Sequence, residues 1–240
     1  MRKLLTLITC IFILSSSYCQ TWFDLGLKGG FGTGIIMNNN IWDDPDYNHR
    51  LSPSYSFGGK IGFNFNDNHE ITLDILFNKF QQDFLYNQFD SISQSDPLYK
   101  SSLSYGSISY LLMYRNNKDG RYSEIGTSIE SLLNSSRTDE NSQPAIDLDR
   151  FNKTQLNVVA GFGAYLLGSE NFGITTGIRI SYGIKDIFSE NGKSINLPTL
   201  KQYDTYSASH PLSILFVLEA NFDFAYVAKA QCSRRKLILF

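Results

Sequence analysis

Eight segments of the chain alternate between apolar and polar residues, and this alternation constrains the fold more than any other feature. In the first segment Leu25 and Leu27 are apolar, while Asp24 and Lys28 have the opposite parity. Successive side chains of a β-strand point to opposite faces, so each segment predicts a strand with one apolar and one polar face. The segments lie near residues 22–31, 56–65, 71–78, 107–114, 124–130, 156–166, 174–185 and 212–224.

The connections between these segments alternate between short and long. The short ones, near residues 66–68, 116–120 and 168–171, contain the Asn, Asp and Gly that tight turns require. The long polar ones lie near residues 37–54, 83–101, 134–153 and 187–209. An up-and-down sheet then has all its long connections at one end, which is typical of outer-membrane barrels.

The N-terminus has the order of a secretory signal. Arg2 and Lys3 precede an apolar run over residues 4–14, and three serines follow it. This predicts a signal peptide over residues 1–19, with an uncleaved anchor as the alternative. The mature chain then keeps only Cys232, which excludes an internal disulfide and a metal site built on cysteine. No later stretch has the length of a membrane-spanning helix, so the exported chain is soluble or a β-barrel.

Alternation alone does not say which face points inward. A soluble sandwich or lipocalin-like barrel buries its apolar face, whereas a membrane barrel turns that face to lipid. The signal, the loop asymmetry and the charges on nearly every polar face favour the membrane. Because an open sheet edge is too costly in hydrocarbon, the sheet must close. The prediction is all-β: an eight-stranded antiparallel up-and-down transmembrane β-barrel over residues 20–224, in the outer membrane of a Gram-negative bacterium.

Residues 225–240 follow the last predicted strand and include Arg234, Arg235 and Lys236. We expect a basic periplasmic tail here. The alternative is that this segment, which ends in an aromatic residue, is itself the last strand. An odd number of strands would then place the two termini on opposite sides of the membrane.

The polar faces predict the content of the barrel lumen. An eight-stranded barrel is just wide enough for side chains to fill, so charged residues there need partners. We expect an ion-pair network and no open pore, with a proton or ion pathway as the alternative. The predicted members are Asp24, Lys28, Lys60, Asp74, Glu124, Glu130, Arg179, Lys185, Glu219 and Asp223.

Other motifs point to no cofactor, metal or catalytic residue. Asp44, Asp46 and Asn48 fit the opening of a calcium loop, but the later Gly and Glu positions do not fit. We therefore expect a solvated acidic loop, with weak calcium binding as the alternative. His210 with Asp186 or Asp204 could imitate a catalytic pair, although nothing in the spacing demands it.

Two further observations exclude other classes. The glycines of residues 29–34 precede no helix and no Lys-Ser/Thr pair, so strand curvature explains them better than a phosphate loop. The chain has 21 basic and 23 acidic side chains, so it lacks the excess of basic residues that is typical of a nucleic-acid binder.

Three phrases carry a family resemblance: LGLKGG at residues 25–30, VVAGFG at 158–163 and GIRISYGI at 177–184. With them the chain resembles the PorT-like outer-membrane β-barrel family of bacteroidete-type bacteria, over about residues 20–224. The resemblance implies the fold and the outer membrane, and it implies no catalytic residue. Particular members are linked to secretion machinery.

These observations predict a non-enzymatic protein with a structural or surface-interaction role, whose Tyr- and Asn-rich extracellular loops carry any binding. Its surroundings are outer-membrane lipid, and protein partners would bind the loops or the basic tail. The alternatives are a component of a secretion or small-solute transport system, and an outer-membrane enzyme.

Overall fold

A computed structural model describes residues 21–66, 68–87, 98–139, 148–169, 171–199, 201, 203–228 and 238–239. The strands are β1 (Thr21–Met37), β2 (Tyr47–Arg50), β3 (Ser52–Asn66), β4 (His69–Asn87), β5 (Leu98–Lys118), β6 (Arg121–Asp139), β7 (Thr154–Gly168), β8 (Phe172–Gly183), β9 (His210–Ala228) and β10 (Ile238–Leu239). The short helices are α1 (Asn39–Trp42), α2 (Glu190–Lys193) and a 3-10 turn at Leu148–Arg150. Among the described residues, no helix has the length and apolarity needed to cross a membrane.

Eight long antiparallel strands close into a barrel. Each of β1 and β3 to β9 pairs with the next long strand, and β9 pairs back onto β1 along almost its whole length. Leu27, for example, lies between Gly59 of β3 and Ala220 of β9. The closed ring leaves no edge in the membrane-spanning part, as the cost of unpaired backbone groups in lipid requires.

The short turns lie at one end of the barrel and the long connections at the other, as the sequence predicts. The β5–β6 turn places Asp119 at φ 51° and Gly120 at φ 72°. Positive φ at both central residues fits the tight hairpin turns whose twist matches that of the strands. The two ends therefore differ: a turn end, where β1 also begins, and a loop end.

Several strands are longer than the 9–11 residues of a tilted membrane-spanning strand. β4 has 19 residues, β5 has 21 and β6 has 19, so residues 83–87 and 98–101 of one predicted loop and residues 134–139 of another are strand. Most of the extra residues lie at the loop end. They continue the sheet because β4, β5 and β6 keep pairing with each other after the membrane-facing part ends.

The apolar half of each strand points outward. Leu27, Phe57, Leu112 and Phe216 are each more than half exposed, whereas Lys28, next to Leu27, and Ser56, next to Phe57, are buried. Two apolar residues of β5, Leu111 and Met113, stand at positions where the alternation predicts polar side chains. Both face inward and pack with Leu76 and Val159 in a small apolar cluster on the lumen wall.

The last long strand, β9, extends four residues past residue 224, where the sequence predicts the end of the barrel. β9 continues to Ala228 because its last residues pair with the start of β1, where Thr21 lies opposite Ala228. Ile238 and Leu239 pair with Tyr226 and Ala225 of β9. The predicted signal peptide and most of the predicted basic tail lie outside the described residues.

Candidate functional site

The turn-end half of the lumen is filled by buried ion pairs centred on Arg115 and Glu219. The two side chains form a bidentate pair across the barrel, with both Nη–Oε distances at 2.8 Å. Arg115 also lies 2.9 Å from Glu124, and its guanidinium stacks 4.3 Å from the ring centroid of Tyr122. A planar guanidinium suits this position because it presents several donors in a fixed plane.

Three other bases extend this cluster. Lys28 Nζ lies 2.6 Å from Asp74 and 2.9 Å from Glu219. Lys60 Nζ lies 2.9 Å from Glu219 and 3.3 Å from Asp24, and it also pairs with Glu70. Arg179 pairs with two acids: its Nη1 lies 3.1 Å from Asp74 Oδ2, and its Nη2 lies 2.7 Å from Glu124 Oε1. We call these nine residues the lumen network; its members are Asp24, Lys28, Lys60, Glu70, Asp74, Arg115, Glu124, Arg179 and Glu219.

The lumen network joins strands that are distant along the chain. Its members come from β1, β3, β4, β5, β6, β8 and β9, and every one of them is at most 5% exposed. Buried charges are tolerated only when they are paired, and removal of one partner leaves the other uncompensated. The network therefore links the strands through ion pairs, and the loss of any one member would leave its partners as uncompensated buried charges.

Seven of the ten residues predicted for the lumen lie in this network: Asp24, Lys28, Lys60, Asp74, Glu124, Arg179 and Glu219. Glu130 also faces the interior, but it lies nearer the loop end. Asp223 is half-buried opposite Asp24 near the turn end. Lys185 is exposed beyond the end of β8. The β8–β9 pairing stops at Tyr182, next to Pro211, whose nitrogen has no hydrogen to donate.

The sequence reasoning missed Glu70 and Arg115. Glu70 immediately precedes the predicted strand 71–78, and Arg115 immediately follows the predicted strand 107–114. Their parity matches that of Asp74 and Ser109, which face inward. Extending each predicted strand by one residue would have placed both charges in the lumen.

Apolar side chains fill the loop-end half of the interior. Phe80 and Tyr105 stack at 4.8 Å on neighbouring strands, and Gly34 leaves room for the ring of Phe80, which a Cβ there would approach to 2.5 Å. The long connections complete this packing with α1 and the segment after β8. The buried cluster consists of Ile36, Ile41, Phe80, Phe84, Leu103, Tyr105, Leu132, Phe151, Ile187, Phe188 and Leu197. We call it the apolar cap.

Two long connections are fastened to each other above the cap: loop 1 (residues 38–51) and loop 4 (residues 184–209). Lys201 Nζ of loop 4 lies 2.7 Å from Asp44 and 2.9 Å from Asp46 of loop 1, and Tyr203 donates to Asp44 at 2.9 Å. We call these four residues the loop latch. Asn38 and Asn40 add further hydrogen bonds to the backbone of loop 4.

The loop latch uses two residues of the partial calcium motif, Asp44 and Asp46. The ammonium group of Lys201 occupies the space between Asp44 and Asp46, and Asn48 is exposed. No group of three or more His, Cys, Asp or Glu in the described parts of the chain is arranged to hold a metal. Burial opposes ionisation of Asp44, but hydrogen bonds from Lys201 and Tyr203 outweigh it and lower the pKa of Asp44.

His49 in loop 1 is packed between aromatic rings. Its ring centroid lies 4.5 Å from that of Trp42 and 5.6 Å from that of Phe84. Both ring nitrogens are buried without a hydrogen-bond partner, and burial lowers the pKa of His49. Protonation at this position therefore opposes the packing of loop 1.

His210, Asp186 and Asp204, which could have formed a catalytic pair, form no such pair in the structure. His210 Nδ1 lies 3.0 Å from the Gly183 carbonyl oxygen, and its ring stacks on Tyr182. Asp186 accepts hydrogen bonds from Tyr206 and from the backbone of loop 4, and Asp204 is exposed. His210 and Asp186 therefore have structural hydrogen-bond partners, and Asp204 faces solvent.

Neisserial surface protein A aligns with 84% of this chain and 97% of its own, at 9% identity and a TM-score of 0.40. OprG from Pseudomonas aeruginosa aligns with 86% of this chain and 96% of its own, at 10% identity and a TM-score of 0.38. Ail of Yersinia pestis, in complex with the heparin analogue sucrose octasulfate, aligns with 85% of this chain and 99% of its own, at 11% identity and a TM-score of 0.35. No curated protein matches the sequence.

A family model matches most of the described barrel. The model of the outer membrane protein beta-barrel domain aligns with residues 19–189, well over half of the chain. This match and the closed barrel with its outward apolar belt lead to the same conclusion. The chain belongs to the outer membrane protein beta-barrel domain family.

Proposed function

We propose that this protein is a closed outer-membrane barrel that works by binding a partner protein at its extracellular loops. The observation that carries this proposal is the filled interior: the lumen network occupies the turn end and the apolar cap the loop end. A barrel filled in this way offers a rigid support for loops and no continuous aqueous path. We further propose that it has no enzymatic role.

The surface formed by loops 1 and 4 suits such a role. Trp42 is 54% exposed, Leu51 is 71% exposed and Tyr206 is 40% exposed. Large aromatic side chains dominate the binding energy of many protein interfaces. Because the latch fixes the two loops before any partner arrives, binding loses less conformational entropy.

Ion conductance tests the closed state. Purified protein inserted into planar bilayers should produce no steady channels, because the lumen network blocks the path. The double variant Lys28→Ala and Lys60→Ala, which empties part of the lumen, serves as the positive comparison if it still folds. Steady conductance of the unmodified protein would contradict the proposal and favour the transport alternative.

Photo-crosslinking in intact cells tests the binding surface. A photoreactive amino acid at Trp42 should form adducts with a partner protein, and Tyr206→Ala should reduce them. The same amino acid at Lys118, the exposed last residue of β5 at the opposite end of the barrel, serves as the control. Equal adducts at both positions, or no effect of Tyr206→Ala, would count against loops 1 and 4.

We also propose the finer assignments that the sequence suggests: a signal peptide over residues 1–19, a Gram-negative host, PorT-like membership and a basic periplasmic tail. The positive N-terminus and apolar run support the first of these. The mass of the protein purified from outer membranes should correspond to a chain that begins at Gln20. A mass that includes residues 1–19 would contradict the cleavage.

A further inference from the structure

A cavity of about 70 Å³ lies inside the barrel, between the lumen network and the apolar cap. Arg179 borders it on the turn side, and Phe80 and Tyr105 border it on the cap side. Its wall also carries serine and asparagine side chains and one carboxylate, that of Glu130. A water molecule needs roughly 10–15 Å³ of such volume, so this cavity has room for a small ion with water ligands.

Glu130 differs from the acids of the lumen network. Its carboxylate accepts hydrogen bonds from Ser107, from Asn157 at 3.0 Å and from Asn78 at 3.5 Å, all of which are neutral. No Lys or Arg within the described ranges comes within ion-pair distance of it. Glu130 is only 8% exposed, and a buried carboxylate without a compensating charge is costly.

The charges of the interior are not balanced. Among the described residues whose side chains lie in the lumen, six buried acids (Asp24, Glu70, Asp74, Glu124, Glu130 and Glu219) face four buried bases (Lys28, Lys60, Arg115 and Arg179). Full ionisation would leave two negative charges in excess, and Glu130 is the one of these six acids without an ion pair. Lys79, which also lines the cavity, donates to Ser104 at 3.3 Å instead. A positive charge close to Glu130 would reduce this excess.

Two oxygens on the same cavity wall have no partner. Ser54 is 3% exposed and Asn157 is 4% exposed, yet the Ser54 hydroxyl makes no hydrogen bond and Asn157 Oδ1 accepts none. Buried oxygens are normally satisfied, and an unsatisfied one calls for a ligand or an ordered water. Carboxylate, amide and hydroxyl oxygens are ligands of hard cations.

From these observations we propose that the cavity is a binding site for a small monovalent cation, with Glu130 as its charged ligand and Ser54 and Asn157 as neutral ones. A single carboxylate matches a single positive charge. The bound ion would stabilise the folded barrel, because a ligand that binds only the folded state raises its stability with concentration.

Thermal unfolding of the protein purified in detergent tests this site. Replacing N-methyl-D-glucamine chloride, whose cation is too large for the cavity, by sodium chloride at equal ionic strength should raise the midpoint by a few degrees. The increase should grow with sodium concentration in the wild type and vanish in Glu130→Gln. The matched control is Glu190→Gln, an exposed carboxylate that pairs with Lys193, and it should keep the increase.

Three results would overturn the proposal. The first is an equal midpoint of the wild type in both salts, and the second is a sodium effect that persists in Glu130→Gln. The third is a midpoint that depends on pH through Glu130 but not on sodium, which would assign the missing charge to a proton. If Glu130→Gln does not fold, Ser54→Ala replaces it and should weaken the sodium dependence; an unchanged dependence counts against the site.

Discussion

A single guanidinium connects four elements in the lumen of this barrel. Arg115 is 1% exposed and touches Glu219, Glu124 and Glu70, which belong to β9, β6 and β4. Because all three acids are buried, none can turn to water when the arginine is lost. The stability of the barrel should therefore depend on this side chain more than on any exposed charge.

The substitution Arg115→Met should destabilise the barrel by about 3–5 kcal/mol, because it leaves buried acids without their partner. Urea unfolding in lipid vesicles, followed by the shift between folded and unfolded gel bands, measures the change. The control is Arg121→Met on the exposed β5–β6 turn, which should alter stability little. Equal effects of the two substitutions would mean that the lumen network contributes no more than a surface charge.

Mild acid should loosen loop 1 through His49. Its pKa in the folded protein lies below the ordinary 6.5, so packing is strongest above pH 6.5 and weakens as the pH falls from there toward the folded value. The fluorescence of Trp42, whose ring lies against His49, should change over this range. His49→Phe should abolish the change, whereas His69→Phe, near the turn end, should retain it.

At the scale of elements, the loop end is built differently from the turn end. β4, β5 and β6 extend past the apolar belt, and loops 1 and 4 fold inward onto the apolar cap. In the described parts of these two loops, the loop latch supplies the charged contacts between them. Its contribution should therefore be visible when one member is changed.

Lys201→Ala should expose loop 1 to proteases and speed its amide exchange several-fold, while the barrel itself stays intact. Lys193→Ala, which removes an exposed pair within α2, should have no such effect. Similar protection of loop 1 in both variants would show that the apolar contacts alone hold the loop.

The same latch should open in strong acid. The folded pKa of Asp44 lies below its ordinary value of 3.8, so its contribution is complete above about that pH and is lost as the pH falls through the folded value. The protection factors of the loop 1 amides, which correct for the intrinsic pH dependence of exchange, should fall below pH 4 in the wild type. Asp44→Asn should lose most of this dependence.

For the whole molecule, the direction of the apolar faces decides whether the chain enters a membrane. Leu112 is 57% exposed at the middle of the outward belt of β5. Leu112→Arg should destabilise the inserted barrel by roughly 2–4 kcal/mol, the range found for a charge at the lipid midplane. Leu51→Arg, in loop 1, is the matched control, and heat-dependent gel migration of membrane fractions reports the folded barrel for both.

The sequence alone determined the number of long barrel strands, their alternation and the end at which the long connections lie. These properties follow from local chemistry: side chains alternate along any strand, and Asn, Asp and Gly mark tight turns wherever they occur. The same parity placed seven of the predicted charges in the lumen, because a residue's face depends only on its position within its own strand.

Only the tertiary structure decided which charges meet and what the loops do. The partnership of Arg115 with Glu219 joins residues 104 positions apart, and strand register and barrel closure set that distance. The continuation of β4 to β6, the apolar cap and the placement of Lys201 between Asp44 and Asp46 likewise depend on neighbours distant in sequence. Periodicity carries no information about such contacts, because it describes one strand at a time.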